Sequence, residues 1–204
     1  MPRRADPVDE LRALARATPV EPRAIAQLLD SLAHGPRVAA VRSLGRREQR
    51  RLYAAVDGFL PLRLADLVPP ATDELAPVRH FGRNTLPLFT HFEKRFCRPR
   101  GQDREKPALL WGYNHQSTAW ATGPGYFVAV QDPERSEVLI DYTRVPAGHA
   151  EGWPLPRPNQ RGLARLVYGS MVDRLRRVSE HVTIGSAARH GRDLGSWFAL
   201  CREA

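Results

Sequence analysis

Apolar side chains recur at spacings of three and four through residues 1–60, which is the pattern of amphipathic helices. Pro7 and Pro22 supply helix start signals, and Gly35 and Gly58 supply stop signals. The predicted helices begin at Asp6, at Glu21, at Pro36 and at Arg46, and the last of them ends at Asp57. We therefore expect a small helical layer at the start of the chain.

Residues 61–79 are rich in proline and predict a linker to a second unit at 80–204, with which the helices fold cooperatively. Beyond the linker, apolar residues recur at spacings of three and four until Pro99. This recurrence favours another helix, and a strand with alternate apolar residues on one face is the competing interpretation. The apolar positions are Leu88, Phe89, Phe92 and Phe96.

From Ala108 onward, short apolar and aromatic runs alternate with turn residues, as is typical of an antiparallel meander. The predicted strands are 109–114, 118–121, 126–131, 137–144, 182–187 and 197–202. Residues 163–178 fit both one helix and two short strands, and both alternatives stay open. The pattern predicts an α+β protein, in which N-terminal helices pack beside a curved antiparallel sheet or small barrel of about six to eight strands.

The composition is that of a globular protein, because 42% of the 204 residues are hydrophobic and 26% are charged. No apolar run reaches the roughly 18 residues of a membrane-spanning helix, and no apolar leader follows Met1. We therefore expect a cytoplasmic protein with no membrane partner.

The net charge of +9 raises the question of an anionic partner. Only Lys94 and Lys106 among the 31 basic residues are lysines, and the arginines are spread along the chain. A nucleic-acid surface concentrates its cations on one face with stacking aromatic residues between them, so this distribution disfavours nucleic acid. The arginine face at residues 46–51 predicts, as one alternative, a module that docks an acidic partner.

The sequence carries no motif for a metal, a phosphate or a nucleophile. Cys97 and Cys201 lie far apart without a CxxC or Cys/His ligand spacing, so we expect two buried thiols and no metal site. The patterns GxxxxGK, GxGxxG, GxSxG and HExxH do not occur. We therefore predict no cofactor.

Aromatic and polar side chains are densest at residues 111–116, with the sequence WGYNHQ, followed by Tyr126. On a strand, Trp111, Tyr113 and His115 point to one face, and the residues between them point to the other. Such a face suits a ligand cavity, and ordinary core packing is the alternative explanation.

Residues 167–185, with the sequence VYGSMVDRLRRVSEHVTIG, resemble the C-terminal part of the small GXWXG-type proteins. In that family a similar Tyr, an Asp, an Arg-Val pair and a terminal Gly mark consecutive barrel strands. The resemblance implies a calycin-like antiparallel barrel, and it favours strands over a helix at 171–178. It implies no activity.

These observations predict a protein that binds a small apolar or aromatic ligand in a barrel or sheet pocket. The predicted pocket residues are Trp111, Tyr113, His115, Tyr126, Tyr142 and Trp197, with Arg95 and Arg177 placed to meet a carboxylate or phosphate head. In the enzyme alternative, a histidine acts as general base beside a carboxylate in the same pocket. The candidates for that pair are His115, His181, Asp141 and Asp173.

Overall fold

A computed structural model describes residues 6–86, 90–115, 123–159 and 168–203. Within these residues, five helices come first and eight strands follow. The helices are α1 Pro7–Arg16, α2 Pro22–Ser31, α3 His34–Ser43, α4 Arg46–Ala55 and α5 Leu64–Leu67. The strands are β1 Val78–Asn84, β2 His91–Cys97, β3 Leu110–His115, β4 Tyr126–Gln131, β5 Val138–Asp141, β6 Val172–Arg177, β7 Val182–Arg189 and β8 Arg192–Arg202.

The eight strands form one closed antiparallel barrel. Each strand pairs with the next one along the chain, and β8 returns to pair with β1, where Phe81 lies opposite Cys201. Closure pairs both edges of the sheet, so every strand turns one face toward a shared interior. The predicted α+β class, with N-terminal helices beside a small antiparallel barrel, is confirmed.

The helices predicted at the start of the chain pack on the outside of the barrel. The side chain of Asp6 caps α1 by accepting a hydrogen bond from the Val8 N–H at 2.9 Å. Helices α3 and α4 lie against β1, β7 and β8. The apolar interface includes Leu11, Ile25, Leu29, Val41 and Leu52 from the helices, and Val178, Val182, Ile184, Ala199 and Cys201 from the barrel. The layer covers one side of the barrel and leaves the interior to other residues.

The prediction of a helix after the linker is wrong, because the described residues of that segment contain strand β2 instead. Phe92 and Phe96 are four residues apart, and a spacing of four places two side chains on one face of a helix and also on one face of a strand. On β2 both belong to the core cluster inside the barrel, with the buried Lys94 between them. Leu88 and Phe89, which completed the helical pattern, lie outside the described residues.

Most of the predicted strands are confirmed. Strands β3, β4, β7 and β8 correspond to the predictions at 109–114, 126–131, 182–187 and 197–202. Strand β5 is shorter than predicted, because Asp141 Oδ1 accepts hydrogen bonds from Thr143 N at 2.8 Å and Oγ1 at 2.6 Å and so begins a turn. Strand β6 agrees with the strand alternative for residues 163–178, although residues 163–167 lie outside the described part of the chain. The predicted strand at 118–121 also lies outside it.

The segment predicted as a linker takes part in the barrel. It contains α5 and the first two residues of β1, a strand that the sequence pattern did not predict. The apolar side chains around α5 belong to the same core cluster as the barrel interior: Leu62, Leu64, Leu67 and Val68. His80 Nε2 on β1 lies 3.0 Å from the Leu67 carbonyl oxygen. Helix α5 therefore packs against the interior of the barrel.

Glycines on the inner face of the barrel make room for phenyl rings. A Cβ atom added at Gly112 would overlap the ring of Phe127, and one added at Gly185 would overlap the ring of Phe198. Phe92 and Leu200 fill the space over Gly82 in the same way. The interior is consequently lined by aromatic rings that lie directly against the backbone of a neighbouring strand.

Candidate functional site

The strand register brings polar side chains together inside the barrel. Lys94 on β2 lies opposite His80 on β1 and Asn114 on β3. Tyr142, which directly follows β5, and Asp173 on β6 reach the same region. All five side chains are buried, with exposed fractions of 5% or less. The apolar interior therefore has a polar centre.

Four of these residues, Lys94, Asn114, Tyr142 and Asp173, form a connected group that we call the Lys94 cluster. Lys94 Nζ donates a hydrogen bond to Asn114 Oδ1 at 3.0 Å and another to the Tyr142 hydroxyl oxygen. Its ion pair with Asp173 Oδ2 spans 3.5 Å. Asn114 Nδ2 donates to the same Tyr142 hydroxyl at 3.0 Å. The amine thus has three polar neighbours on three different strands or strand ends.

Aromatic rings surround the Lys94 amine. Nζ lies 4.8 Å from the ring centroid of Phe198 and 5.0 Å from the centroids of Phe127 and Tyr142. The Phe92 ring is 5.8 Å away. An ammonium group within about 6 Å of a ring face is attracted by the electron density of the ring. The rings therefore hold the amine while they exclude water from it.

Burial shifts the ionisation of every titratable member of the Lys94 cluster. Desolvation lowers the pKa of Lys94 to about 8, and the neighbouring Asp173 opposes that shift. Desolvation raises the pKa of Asp173, and Lys94 and Tyr142 oppose that shift in turn. Desolvation also raises the pKa of the Tyr142 hydroxyl, and the charge of Asp173 adds to this effect. The cluster thus combines a lysine whose neutral form is accessible near neutral pH with a carboxylate and a phenol.

One acceptor of the Lys94 cluster has no partner among the described residues. Asp173 Oδ2 faces Lys94, whereas Asp173 Oδ1 is fully buried and accepts no hydrogen bond there. A buried carboxylate oxygen without a donor is costly and calls for a specific explanation. The oxygen is a natural partner for a polar group of a bound molecule.

Most of the predicted pocket residues lie elsewhere, on the outer face of the barrel. Trp111, Tyr113 and Tyr126 join a cluster with Trp153, and the ring centroids of Tyr113 and Trp153 are 4.8 Å apart. The Tyr113 hydroxyl lies 3.4 Å from Nδ1 of the exposed His115. The segment around Trp153 covers these rings, which the structure therefore brings together as a packed outer cluster.

The remaining predicted residues are dispersed, and only Tyr142 belongs to the Lys94 cluster. Trp197 lies on β8, where the guanidinium of Arg46 is 5.6 Å from its ring centroid. Arg95 forms an ion pair with Glu93 at 3.0 Å. Arg177 forms one with Asp66 of α5 at 3.1 Å.

Sequence analysis missed Lys94 and Asn114 as site residues. A signal was present, because Lys94 stands between two phenylalanines at alternating positions and is one of two lysines in the chain. The alternation reveals an inward-facing lysine only when the segment is interpreted as a strand. The mistaken helix prediction concealed it.

The predicted histidine and carboxylate candidates pair with other groups. Asp173 contacts Lys94, and Asp141 caps the turn after β5. His181 Nε2 lies 3.6 Å from Glu180 Oε1, which is on the preceding residue. The most deeply buried histidine is His80, whose pKa desolvation lowers to about 3. The polar centre of the barrel is thus built on a lysine.

The arginine face on α4 is partly engaged within the molecule. Arg46 donates a hydrogen bond to the Gly195 carbonyl oxygen at 2.6 Å. Arg51 donates to the Ala15 carbonyl oxygen at 3.2 Å and to Thr18 Oγ1 at 3.0 Å. These two arginines fasten α4 to β8 and to the end of α1.

Cys97 and Cys201 are free, buried thiols, as predicted. Burial raises their pKa values to about 12 and about 11, which disfavours the reactive thiolate. No group of three or more His, Cys, Asp and Glu side chains in the described part of the chain is arranged to hold a metal ion. None of the described helices is long and apolar enough to cross a bilayer.

Comparison of the chain with protein-family models, with curated proteins and with solved structures gave no match. The resemblance of residues 167–185 to the GXWXG-type proteins therefore stays a prediction.

Proposed function

We propose that the protein binds a small apolar or aromatic molecule inside the barrel, with the polar end of that molecule at the Lys94 cluster. The observation that carries the proposal is the buried Asp173 Oδ1, which accepts no hydrogen bond from the described residues. A donor on a bound molecule would satisfy it. Ligand sites commonly join an apolar lining to a few convergent polar groups of this kind.

The surroundings of the Lys94 cluster support an aromatic or apolar body for the ligand. The apolar side chains around the amine include the rings of Phe92, Phe127 and Phe198. Such rings stabilise a bound aromatic molecule through the apolar area that becomes buried and through offset-stacked or edge-to-face contacts with the ring of that molecule. Lys94 and Tyr142 supply donors for a carbonyl or hydroxyl oxygen, so the cluster selects the polar end and the rings select the body.

The first experiment is native mass spectrometry on protein purified gently from its own host, together with an ultraviolet–visible spectrum. The proposal predicts a bound small molecule that is released when the protein unfolds. A mass equal to that of the chain alone, with a spectrum of only its aromatic residues, contradicts it.

A matched pair of tyrosine substitutions locates the ligand. Tyr142→Phe removes a hydroxyl inside the barrel, and Tyr113→Phe removes one from the outer cluster. We expect Tyr142→Phe to weaken ligand affinity by about tenfold or more, because it deletes one hydrogen bond in a buried polar group. Tyr113→Phe should leave the affinity unchanged, and the reverse result would place the ligand at the outer cluster.

A further inference from the structure

The position of Lys94 suits it to covalent chemistry as well as to hydrogen bonding. Its Nζ atom is buried among aromatic rings, and the carboxylate of Asp173 is 3.5 Å away. The Tyr142 hydroxyl accepts a hydrogen bond from the same nitrogen. A nucleophilic amine beside a proton acceptor and a phenol is a set of groups that can promote amine addition to a carbonyl by general acid–base catalysis.

We propose that the ligand carries an aldehyde or ketone group and that Lys94 Nζ captures it as an imine. This inference rests on the proposed function and deepens it, because it names the chemical class of the ligand's polar end. A carbonyl group carries no donor, so the free oxygen of Asp173 gains its partner on addition, when the hydroxyl group of the carbinolamine donates a hydrogen bond to it.

The step balances without an oxidant or a reductant. The neutral amine attacks the carbonyl carbon, so that a C–N bond forms and the carbonyl π bond breaks to give a carbinolamine. Asp173 Oδ1 carries the first proton that the nitrogen loses to the alkoxide oxygen, which becomes the carbinolamine hydroxyl, and then carries the second amine proton to that hydroxyl as it departs. The carbonyl oxygen leaves as water with both amine hydrogens, and a C=N double bond remains.

The environment of Lys94 makes the neutral amine accessible. The ionisable groups that face it are Asp173 from β6, Tyr142 after β5 and His80 from β1. With a pKa of about 8, about a tenth of Lys94 is neutral at pH 7. A lysine with the ordinary pKa of about 10.4 keeps far less of the neutral form at that pH.

The chain contains a matched control, because Lys106 is its second lysine and is exposed. The test incubates the folded protein with benzaldehyde and sodium cyanoborohydride, which reduces an imine to a stable secondary amine. Peptide mass mapping then measures labelling of Lys94, Lys106 and the N-terminal amine over time. We expect Lys94 to be labelled at least about tenfold faster than Lys106, although it is the buried one. Labelling of Lys106 and the N-terminal amine with none at Lys94 overturns the inference.

A second variant tests the role of Asp173, and its thermal unfolding transition is recorded to show that it is folded under the labelling conditions. Asp173→Asn preserves the size of the side chain and removes the proton acceptor. At pH 9, where Lys94 with its pKa of about 8 is already largely neutral in the wild type, we expect the variant to slow labelling of Lys94 by about tenfold or more and to leave the rate at Lys106 unchanged. An unchanged rate at Lys94 contradicts the assigned proton transfer.

Benzyl alcohol, which has no carbonyl group, distinguishes failure of this inference from failure of the proposed function. If benzyl alcohol binds competitively with the copurified ligand but benzaldehyde leaves Lys94 unlabelled, binding stands and the imine is excluded. If no ligand copurifies, neither compound binds and Lys94 stays unlabelled, both proposals fail.

Discussion

Lys94 and Asp173 form a buried ion pair in which each side chain depends on the other. Both are about 2% exposed, and their charged atoms are 3.5 Å apart. Removing a charge from water costs several kcal/mol, and the attraction between the partners offsets that cost only while both are present. The pair is therefore a weak source of stability and a strong constraint on substitution.

Substitution of one partner should be far more costly than substitution of both. We expect Lys94→Met to lower the free energy of unfolding by about 3–5 kcal/mol, because it leaves the Asp173 carboxylate buried without compensation. Adding Asp173→Leu should recover most of that loss, and urea unfolding of the two single variants and the double variant measures the coupling. Lys106→Met, at an exposed position, should change stability by less than about 0.5 kcal/mol. Simply additive losses would show that the two side chains do not interact.

The buried His80 should make the protein sensitive to acid. Its pKa is about 3 in the folded state and near 6.5 when unfolded, because burial disfavours the imidazolium. Stability is fully present above pH 6.5 and falls as the pH drops from there toward 3, since the unfolded state binds the proton first. Between pH 6.5 and pH 5, the burial of His80 lowers the free energy of unfolding by about 2 kcal/mol.

Comparison with His80→Gln isolates this residue from the other histidines. Glutamine retains an N–H donor for the Leu67 carbonyl oxygen and has no titration in this range. Denaturant unfolding at pH 6.5 and at pH 5 measures the free energy of unfolding of both proteins. Between these pH values it should fall by about 2 kcal/mol more in the wild type than in the variant. Equal losses in the two proteins would contradict the assignment.

Neighbouring strands of the barrel pack through pairs of a glycine and a phenylalanine. Gly112 on β3 faces the Phe127 ring of β4, and an added methyl group there would also meet the Arg95 carbonyl oxygen at 2.7 Å. Backbone on one side and a buried ring on the other leave no room for adjustment. These pairs fix how closely neighbouring strands approach.

Alanine substitution at two glycines tests this packing. Gly112→Ala should lower the free energy of unfolding by about 1–3 kcal/mol, because overpacking strains the interior. Gly35→Ala in the first turn of α3 is the control: an added Cβ meets nothing within 4 Å outside the chain neighbours, and because Pro36 follows, we expect a change in stability of less than about 1 kcal/mol and no gain from helix propensity. Thermal or urea unfolding measures both, and a neutral Gly112→Ala would contradict the described fit of the rings.

Most helices and strands could be predicted from the sequence, whereas the segment that contains β2 was predicted as a helix for a physical reason. Helices α1, α2 and α4 have clear apolar faces, and β4 and β7 are continuous buried runs between turns. In β2 the spacing of four between Phe92 and Phe96 occurs in both periodicities, so periodicity alone was not decisive. Strand β1 was missed because its buried positions are Val78, His80 and Gly82, of which only one is strongly apolar.

The helical layer and the barrel share one buried interface. The interior of the barrel is separate from it. The outward residues of β7 and β8 pack under the helices, and Cys201 is among them. Helix α5 and the Lys94 cluster belong to the inside of the barrel. The proposed binding function therefore depends on the barrel, and the helices act by covering its apolar outer face.

The site was less predictable than the fold because its members are far apart in the chain. Asn114 and Asp173 reach Lys94 only through the register of several strands and the closure of the barrel. Trp111 and Tyr113 attracted attention because they are close together in sequence, yet their positions on β3 turn them outward. A face of a strand can be predicted from alternation, whereas the choice of inner or outer face needs the closed sheet.

Binding inside the barrel is tested by the NMR spectrum of protein labelled only at lysine, recorded before and after the ligand is removed by unfolding and refolding. The chain gives two lysine side-chain signals, from the buried Lys94 and the exposed Lys106. Binding at the Lys94 cluster predicts that removal of the ligand shifts the Lys94 signal and leaves that of Lys106 in place. An unchanged Lys94 signal upon loss of a ligand proven by mass spectrometry would contradict binding inside the barrel.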